Sequence, residues 1–190
     1  MAEHRASITI TAPVHQVYTL FSRFVDYPKF MTYIKEVTFV DENTTSWSVD
    51  LAGRHTWTAV NENWIPDKQI GWRSTSGFRN SGRVNFTAVA ADRTDVTVTI
   101  AYEPPAGPLG TAGELLGIGA TFESALRHDL SAFASRVENA PPGVLDPNSA
   151  EYVFNPNRTT TDRPVDLGNP TADDTTPIVP GTSRASRNTL

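Results

Sequence analysis

One stretch of the chain, Leu109 to Glu138, carries sustained helical periodicity. Its apolar residues are Leu115, Ile118, Phe122, Leu126 with Ala125, Leu130, Phe133 and Val137. Steps of three and four place them on one face of an α-helix. Glu114, Glu123, Arg127, Asp129, Ser131, Ser135 and Arg136 fall opposite, on a face predicted to meet water. At the rise of an α-helix the stretch would span about 45 Å, enough to cross a small domain. Pro104, Pro105 and Pro108 set its start, and Asn139, Pro141, Pro142 and Gly143 its end.

Almost everything before this helix alternates with the period of a β-strand. Residues 5–11 predict a first strand. Thr11-Ala12-Pro13 then offers a cap for a short helix through Val14, Val17, Tyr18, Leu20 and Phe21. Asp26-Tyr27-Pro28 breaks that helix, and Lys29-Phe30-Met31 suggests a second short turn. Six more strands follow at roughly 33–41, 45–51, 54–65, 68–75, 82–90 and 94–103, separated by short Gly, Pro, Asp and Asn punctuation. Short connections make consecutive strands antiparallel neighbours. The expected architecture is α+β: a curved antiparallel sheet of about seven strands wrapped around one long C-terminal helix, with two short helices after the first strand. A sheet curled around one helix leaves a cavity between them, where function is most plausibly placed.

Composition divides the chain. Eight of the 14 prolines lie after Glu138, in a segment rich in Thr, Asn and Asp. Such a segment has too little apolar surface to offset the entropy of ordering it. The expected organisation is a domain over 1–140 and a disordered tail over 141–190, with Tyr152-Val153-Phe154 as the tail's compact apolar cluster. The tail carries six acidic against four basic residues, so it does not read as a basic membrane anchor. A net charge of -5 and the lack of a basic patch argue against nucleic acid. With no cysteine there is no disulfide framework, thiol nucleophile or thiolate metal site. The first residues lead straight into a strand pattern without an apolar leader, and no window approaches the length of a membrane span. The expectation is a cytoplasmic protein.

Several sequence pieces occur together in a recognisable order. Ile10-Thr11-Ala12-Pro13 leads into Val17-Tyr18, and Phe24-Val25-Asp26-Tyr27-Pro28-Lys29-Phe30-Met31 follows. Then come Trp47-Ser48-Val49, Trp57-Thr58-Ala59-Val60 and Ile70-Gly71-Trp72-Arg73-Ser74-Thr75-Ser76-Gly77. Over about residues 5–138 the chain resembles the START-like helix-grip superfamily, and within it the polyketide cyclase/dehydrase group that includes the coenzyme Q-binding proteins. The resemblance implies a hydrophobic ligand cavity. It does not imply one reaction, because such families contain lipid carriers, quinone-binding proteins and aromatase/cyclases.

In such a cavity the residues expected to touch a ligand are Trp57, Trp72, Arg73, Phe78, Phe86, Tyr102, Leu115 and Phe122. Tryptophans at 47, 57, 64 and 72 could line it, although burying such rings is also ordinary core packing. Alternation sets His55, Trp57, Ala59 and Asn61 on one face of their strand and Thr56, Thr58, Val60 and Glu62 on the other. It leaves open which face is concave. His55, if inward, could act as a general base. Arg73 or Arg83 at the mouth could hold a carboxylate or quinone oxygen. His128 beside Asp129 reads as solvated. No histidine pair has metal-ligand spacing, and no cofactor is implied. Glycines 107, 110, 113, 117 and 119 lack the context of a phosphate loop and suggest a loose helix start, moving as a gate against the Ser76–Gly82 loop. Three functions follow: a carrier of a small quinone-, lipid- or polyketide-like ligand, a polyketide cyclase or dehydratase, or an interaction protein whose tail recruits a partner.

Overall fold

The computed structural model describes residues 2–50, 53–103 and 112–155, with the backbone alone for 112–119. All of these lie in one compact unit, Met1–Arg158; a second unit, Thr159–Leu190, lies outside the described residues.

The alternating segments form seven strands: β1 Ala2–Ile10, β2 Ile34–Phe39, β3 Thr44–Asp50, β4 Arg54–Ile65, β5 Gln69–Gly77, β6 Asn80–Ala90 and β7 Arg93–Tyr102. They make one antiparallel sheet in the order β1-β7-β6-β5-β4-β3-β2. β2 to β7 are a meander, as the short connections require, while β1 closes on the far side of β7, with Ala2 opposite Tyr102 and Ile10 opposite Thr94. Between β1 and β2 the chain crosses from one sheet edge to the other through helix α1, Val14–Phe21, and a 3-10 helix, Phe24–Lys29. The long helix α2, Ala112–Glu138, lies against the curled sheet. This is the expected helix-grip architecture. The prolines expected to set the start of α2 lie outside the described residues.

The differences are local. Thr11 does not cap α1: Pro13 occupies the cap, and the Thr11 N–H donates instead to Glu138 Oε1 at 2.7 Å. The broad Ser76–Gly82 loop shrinks to Phe78–Arg79, because Gly77 adopts a φ of 75° that lets β5 turn directly into β6. Asp26-Tyr27-Pro28 is not a break but part of the 3-10 helix, which the Tyr27 hydroxyl ties to Phe21 O at 2.9 Å. Trp64 leaves the inward set. It follows Asn63, whose φ is 57°, and lies on the surface with its indole N–H on Gly71 O.

The inward stripe of α2 is buried at Leu126, Leu130, Phe133, Ala134 and Val137. Asp129 is buried too, against the expectation of a wet face there. Its two oxygens accept the Thr32 N–H at 2.9 Å and the Thr32 hydroxyl at 2.5 Å. A carboxylate that receives two hydrogen bonds tolerates burial. His128 is exposed, as expected.

The packed unit does not stop at 140. Residues 141–155 return over the 3-10 helix in a series of turns and bury Val144, Tyr152 and Phe154. Phe154 stacks on Phe133 at 5.9 Å and meets Phe30 at 5.5 Å. The Tyr152 hydroxyl donates to Asp26 Oδ2 at 2.9 Å, and the same oxygen accepts Arg23 Nε at 2.9 Å. The Arg23 guanidinium lies over the Tyr152 ring, 5.4 Å from its centroid. The short apolar cluster therefore finds a ring-lined seat and a buried acceptor. Residues 156–190 lie outside the described residues.

Two outcomes follow from this seat. Phe154→Ala is expected to lower the unfolding free energy by about 3 kcal/mol in denaturant titration. A loss below about 0.5 kcal/mol, typical of an exposed residue, would show that the segment is not packed in solution. Burial, and then the neighbouring Asp26 charge, push the Tyr152 phenol well above its usual value of 10.0. Burial raises Tyr27 as well. The unfolded chain gives up these protons near pH 10 while the fold keeps them, so stability is full below pH 10 and falls as pH rises beyond it. Tyr152→Phe should make that alkaline slope shallower by up to about 1.4 kcal/mol per pH unit. An unchanged slope in equilibrium unfolding at pH 10 to 12 would refute the assignment.

Candidate ligand cavity

The inward face of β4 is the one that carries His55, Trp57, Ala59 and Asn61. The strand pairing makes Trp57 the direct partner of Trp47, and the two indoles stack at 5.6 Å with planes 7° apart. Trp72 joins them at 6.4 Å from Trp47. Its neighbour across the ladder is Gly82, and the indole lies where a Cβ at 82 would stand. Glycine is needed there for close approach rather than for its φ.

Between this aromatic floor and α2 lies a cavity with about 100 Å³ of room. The sheet supplies Trp47, Val49, Trp57, Trp72, Val84 and Val98, with Asn80, Ile100 and Tyr102 toward one end. Phe78 in the β5–β6 turn and Phe122, Leu126 and Asp129 on α2 complete that side. Phe21, Tyr27, Met31, Tyr33 and Ile34 form the other wall. That is less than the ~150 Å³ of an apolar cavity that holds benzene, so even one small ring requires the walls to give. A longer chain requires the walls to part.

The polar groups around the cavity are few and most are engaged. Trp72 Nε1 donates to Asn80 Oδ1 at 3.0 Å, and Asn80 Nδ2 to Phe78 O at 2.9 Å. Trp47 Nε1 donates to Thr45 Oγ1 at 2.8 Å. Burial raises the Tyr102 phenol, so it stays neutral. Trp57 Nε1 is different: it is buried and has no acceptor. His55 is half-buried on the same strand face, its ring 5.3 Å from Phe78, and its Nε2 is likewise buried without a partner.

Of the positions expected to touch a ligand, Trp57, Trp72, Phe78, Tyr102 and Phe122 line the cavity. Arg73 does not. Strand alternation puts it on the outer face, where Nε stands 3.4 Å from Glu62 Oε2. Arg83 is exposed as well. Phe86 is inward but lies beneath α1, with Tyr18 at 5.5 Å and Phe21 at 5.9 Å, so its ring is core. The Leu115 side chain lies outside the described residues, as do residues 104–111 of the expected gate. No group of three or more His, Asp or Glu residues could hold a metal among the described residues.

The wall from Tyr27 to Ile34 and the Asp129 contribution were missed. A signal for Asp129 existed, because 122, 126, 129 and 133 share the apolar helical stripe. The wall from 27 to 34 has no periodicity to read. His4 was also passed over, although it lies on the concave face next to Tyr102 and Phe122.

The chain is similar to known proteins in sequence and in fold. An uncharacterized 17.2 kDa protein of Streptomyces lincolnensis is 26% identical over 106 residues, covering 55% of this chain and 71% of that one. A solved structure from Deinococcus radiodurans is 28% identical, with a TM-score of 0.58 over 72% of this chain and 98% of its own. The Zhui aromatase/cyclase of a Streptomyces species superimposes with a TM-score of 0.60 at 19% identity, over 73% of this chain and 96% of its own. A START superfamily protein from Mycobacterium smegmatis gives 0.59 at 16% identity, over 71% and 98%. The last two likenesses concern the fold alone. The model of one family, described as polyketide cyclase / dehydrase and lipid transport, matches residues 10–127, and the chain belongs to that family.

Proposed function

We propose that this chain is a binding module that holds a small hydrophobic ligand carrying a ring and at least one acceptor oxygen, of quinone, lipid or polyketide type, in the cavity between sheet and α2. One observation carries the reading: in an apolar cavity walled by stacked indoles, Trp57 keeps a buried N–H without an acceptor. An unmet buried donor costs stability unless something completes it. A ligand oxygen would do so while its ring lies among aromatic walls. Burial of apolar area, at about 25 cal/mol per Å², would supply most of the affinity, and the indole N–H would set orientation.

A cyclase or dehydratase acting in the same cavity is the second reading, favoured by the unpartnered imidazole nitrogens of His4 and His55. The interaction-protein reading has less support, because the cavity has room left and Tyr152 and Phe154 are spent on the chain's own core.

Native mass spectrometry of the protein from its own host, followed by organic extraction, is expected to yield one ring-bearing molecule per chain. An empty protein that also binds no quinone, fatty acid or polyketide from a panel would overturn the carrier reading. Trp57→Phe keeps the ring and removes the donor. It should weaken binding of an oxygen-bearing ligand by about tenfold in fluorescence titration, while an oxygen-free ring compound binds as before. Gly82→Ala should drive the Trp72 indole off its seat and reduce binding of both. Unaltered affinity for both would show that Trp72 does not form the working wall.

A further inference from the structure

His4 lies on β1, directly across the ladder from Ile100, so its side chain shares the concave face with that cavity residue. Its ring stacks on Tyr102 with centroids 5.3 Å apart and planes at 20°, and the edge of Phe122 meets it at 5.3 Å. Both of those rings line the cavity, and His4 packs directly against them, just outside the lining itself. The imidazole is about nine-tenths buried.

The two ring nitrogens have different surroundings. Nδ1 is 3.2 Å from Glu123 Oε1 on α2, and Glu123 Oε2 accepts Arg127 Nη2 at 3.0 Å. A carboxylate only accepts, so Nδ1 carries the proton. In the neutral ring, Nε2 is then left with its lone pair. That atom is buried and has no partner. Arg127 steadies Glu123, Glu123 orients His4, and an acceptor is left facing aromatic surroundings without a donor.

We propose that His4 Nε2 is a hydroxyl-recognition point of the cavity, with Glu123 as its positioning residue, and that the ligand presents a phenolic or enolic O–H there. The inference rests on the ligand-cavity reading and narrows it to ring compounds bearing an acidic hydroxyl. Trp57 Nε1 donates and His4 Nε2 accepts, so the two orphan atoms call for ligand oxygens of opposite hydrogen-bonding character. Full proton transfer would break the ligand O–H bond and form Nε2–H. It would leave an oxyanion on the ligand and an imidazolium held by Glu123.

The test uses the full chain with two one-ring probes of nearly equal shape, para-cresol and para-xylene. Imidazole nitrogen NMR reads His4 directly. Cresol should move the Nε2 resonance and xylene should not. His4→Phe should cut the ratio of cresol to xylene affinity by about tenfold. Glu123→Gln should shift the His4 tautomer in the free protein, which a merely structural residue would not do. If xylene and cresol bind but Nε2 does not respond, or the ratio survives His4→Phe, this inference fails and the cavity reading stands. If neither probe binds, the cavity reading fails for single rings and this inference falls with it. The wild-type spectrum decides the matter even if a variant does not fold.

Discussion

A seven-stranded curled sheet has a long concave face to bury and, in this chain, one long helix with which to cover it. The C-terminal half of α2 does so completely, with Leu130, Phe133 and Val137 seated among Phe21, Phe30 and Phe154. Toward Phe122 and Leu126 the sheet curves away, and the gap is walled with rings instead of being filled. Core and cavity are thus two ends of one packing problem. At one end Phe21 meets Phe133, and Phe24 meets Tyr27, edge to face. At the other the indoles of Trp47, Trp57 and Trp72 stack flat and leave room, because flat indoles on a sheet present faces that another flat molecule completes.

The elements that shape the cavity are held independently of each other. Thr32 is pinned to Asp129 on α2, fixing the segment that runs into Tyr33 and Ile34. Asp26 is pinned by Arg23 and Tyr152, fixing the 3-10 helix that carries Tyr27. Both pins are carboxylates that accept two hydrogen bonds each, and both join residues about a hundred positions apart in sequence. Burying such groups is costly unless every partner is in place, so they favour one position of the wall over many.

Most of the strands and the long helix were legible because periods of 2 and 3.6 are written directly into the residues. Trp57, Trp72, Phe78, Tyr102 and Phe122 were expected in the cavity from the family resemblance, since alternation alone leaves open which strand face is concave. What failed was whatever depends on a partner far away. Arg73 reads as a guanidinium at the mouth for a carboxylate or quinone oxygen, but one step of alternation turns it outward to Glu62. Phe86 looked like a wall until α1 covered it. Asp129 shares the stripe of 122, 126 and 133 but reads as wet because nothing local announces its partner Thr32, and Tyr152 and Phe154 read as tail because their seat is built by residues 23 to 30. His4 needed Glu123, on another element, before either nitrogen could be assigned a role.

The pairing of β1 with β7 governs how the chain must be made. Ala2–Ile10 precedes every other strand of the sheet, yet among the described residues its ladder partner is Arg93–Tyr102. At about 5–20 residues per second, a ribosome delivers that partner several seconds later. During that wait the first strand has no place in the sheet, while β2 to β6 can pair as local hairpins. Its insertion is the step that converts an open meander into a cradle, and non-local closures of this kind are slow. His4 travels on that strand, so its imidazole meets Tyr102 and Phe122 only when the sheet is otherwise complete.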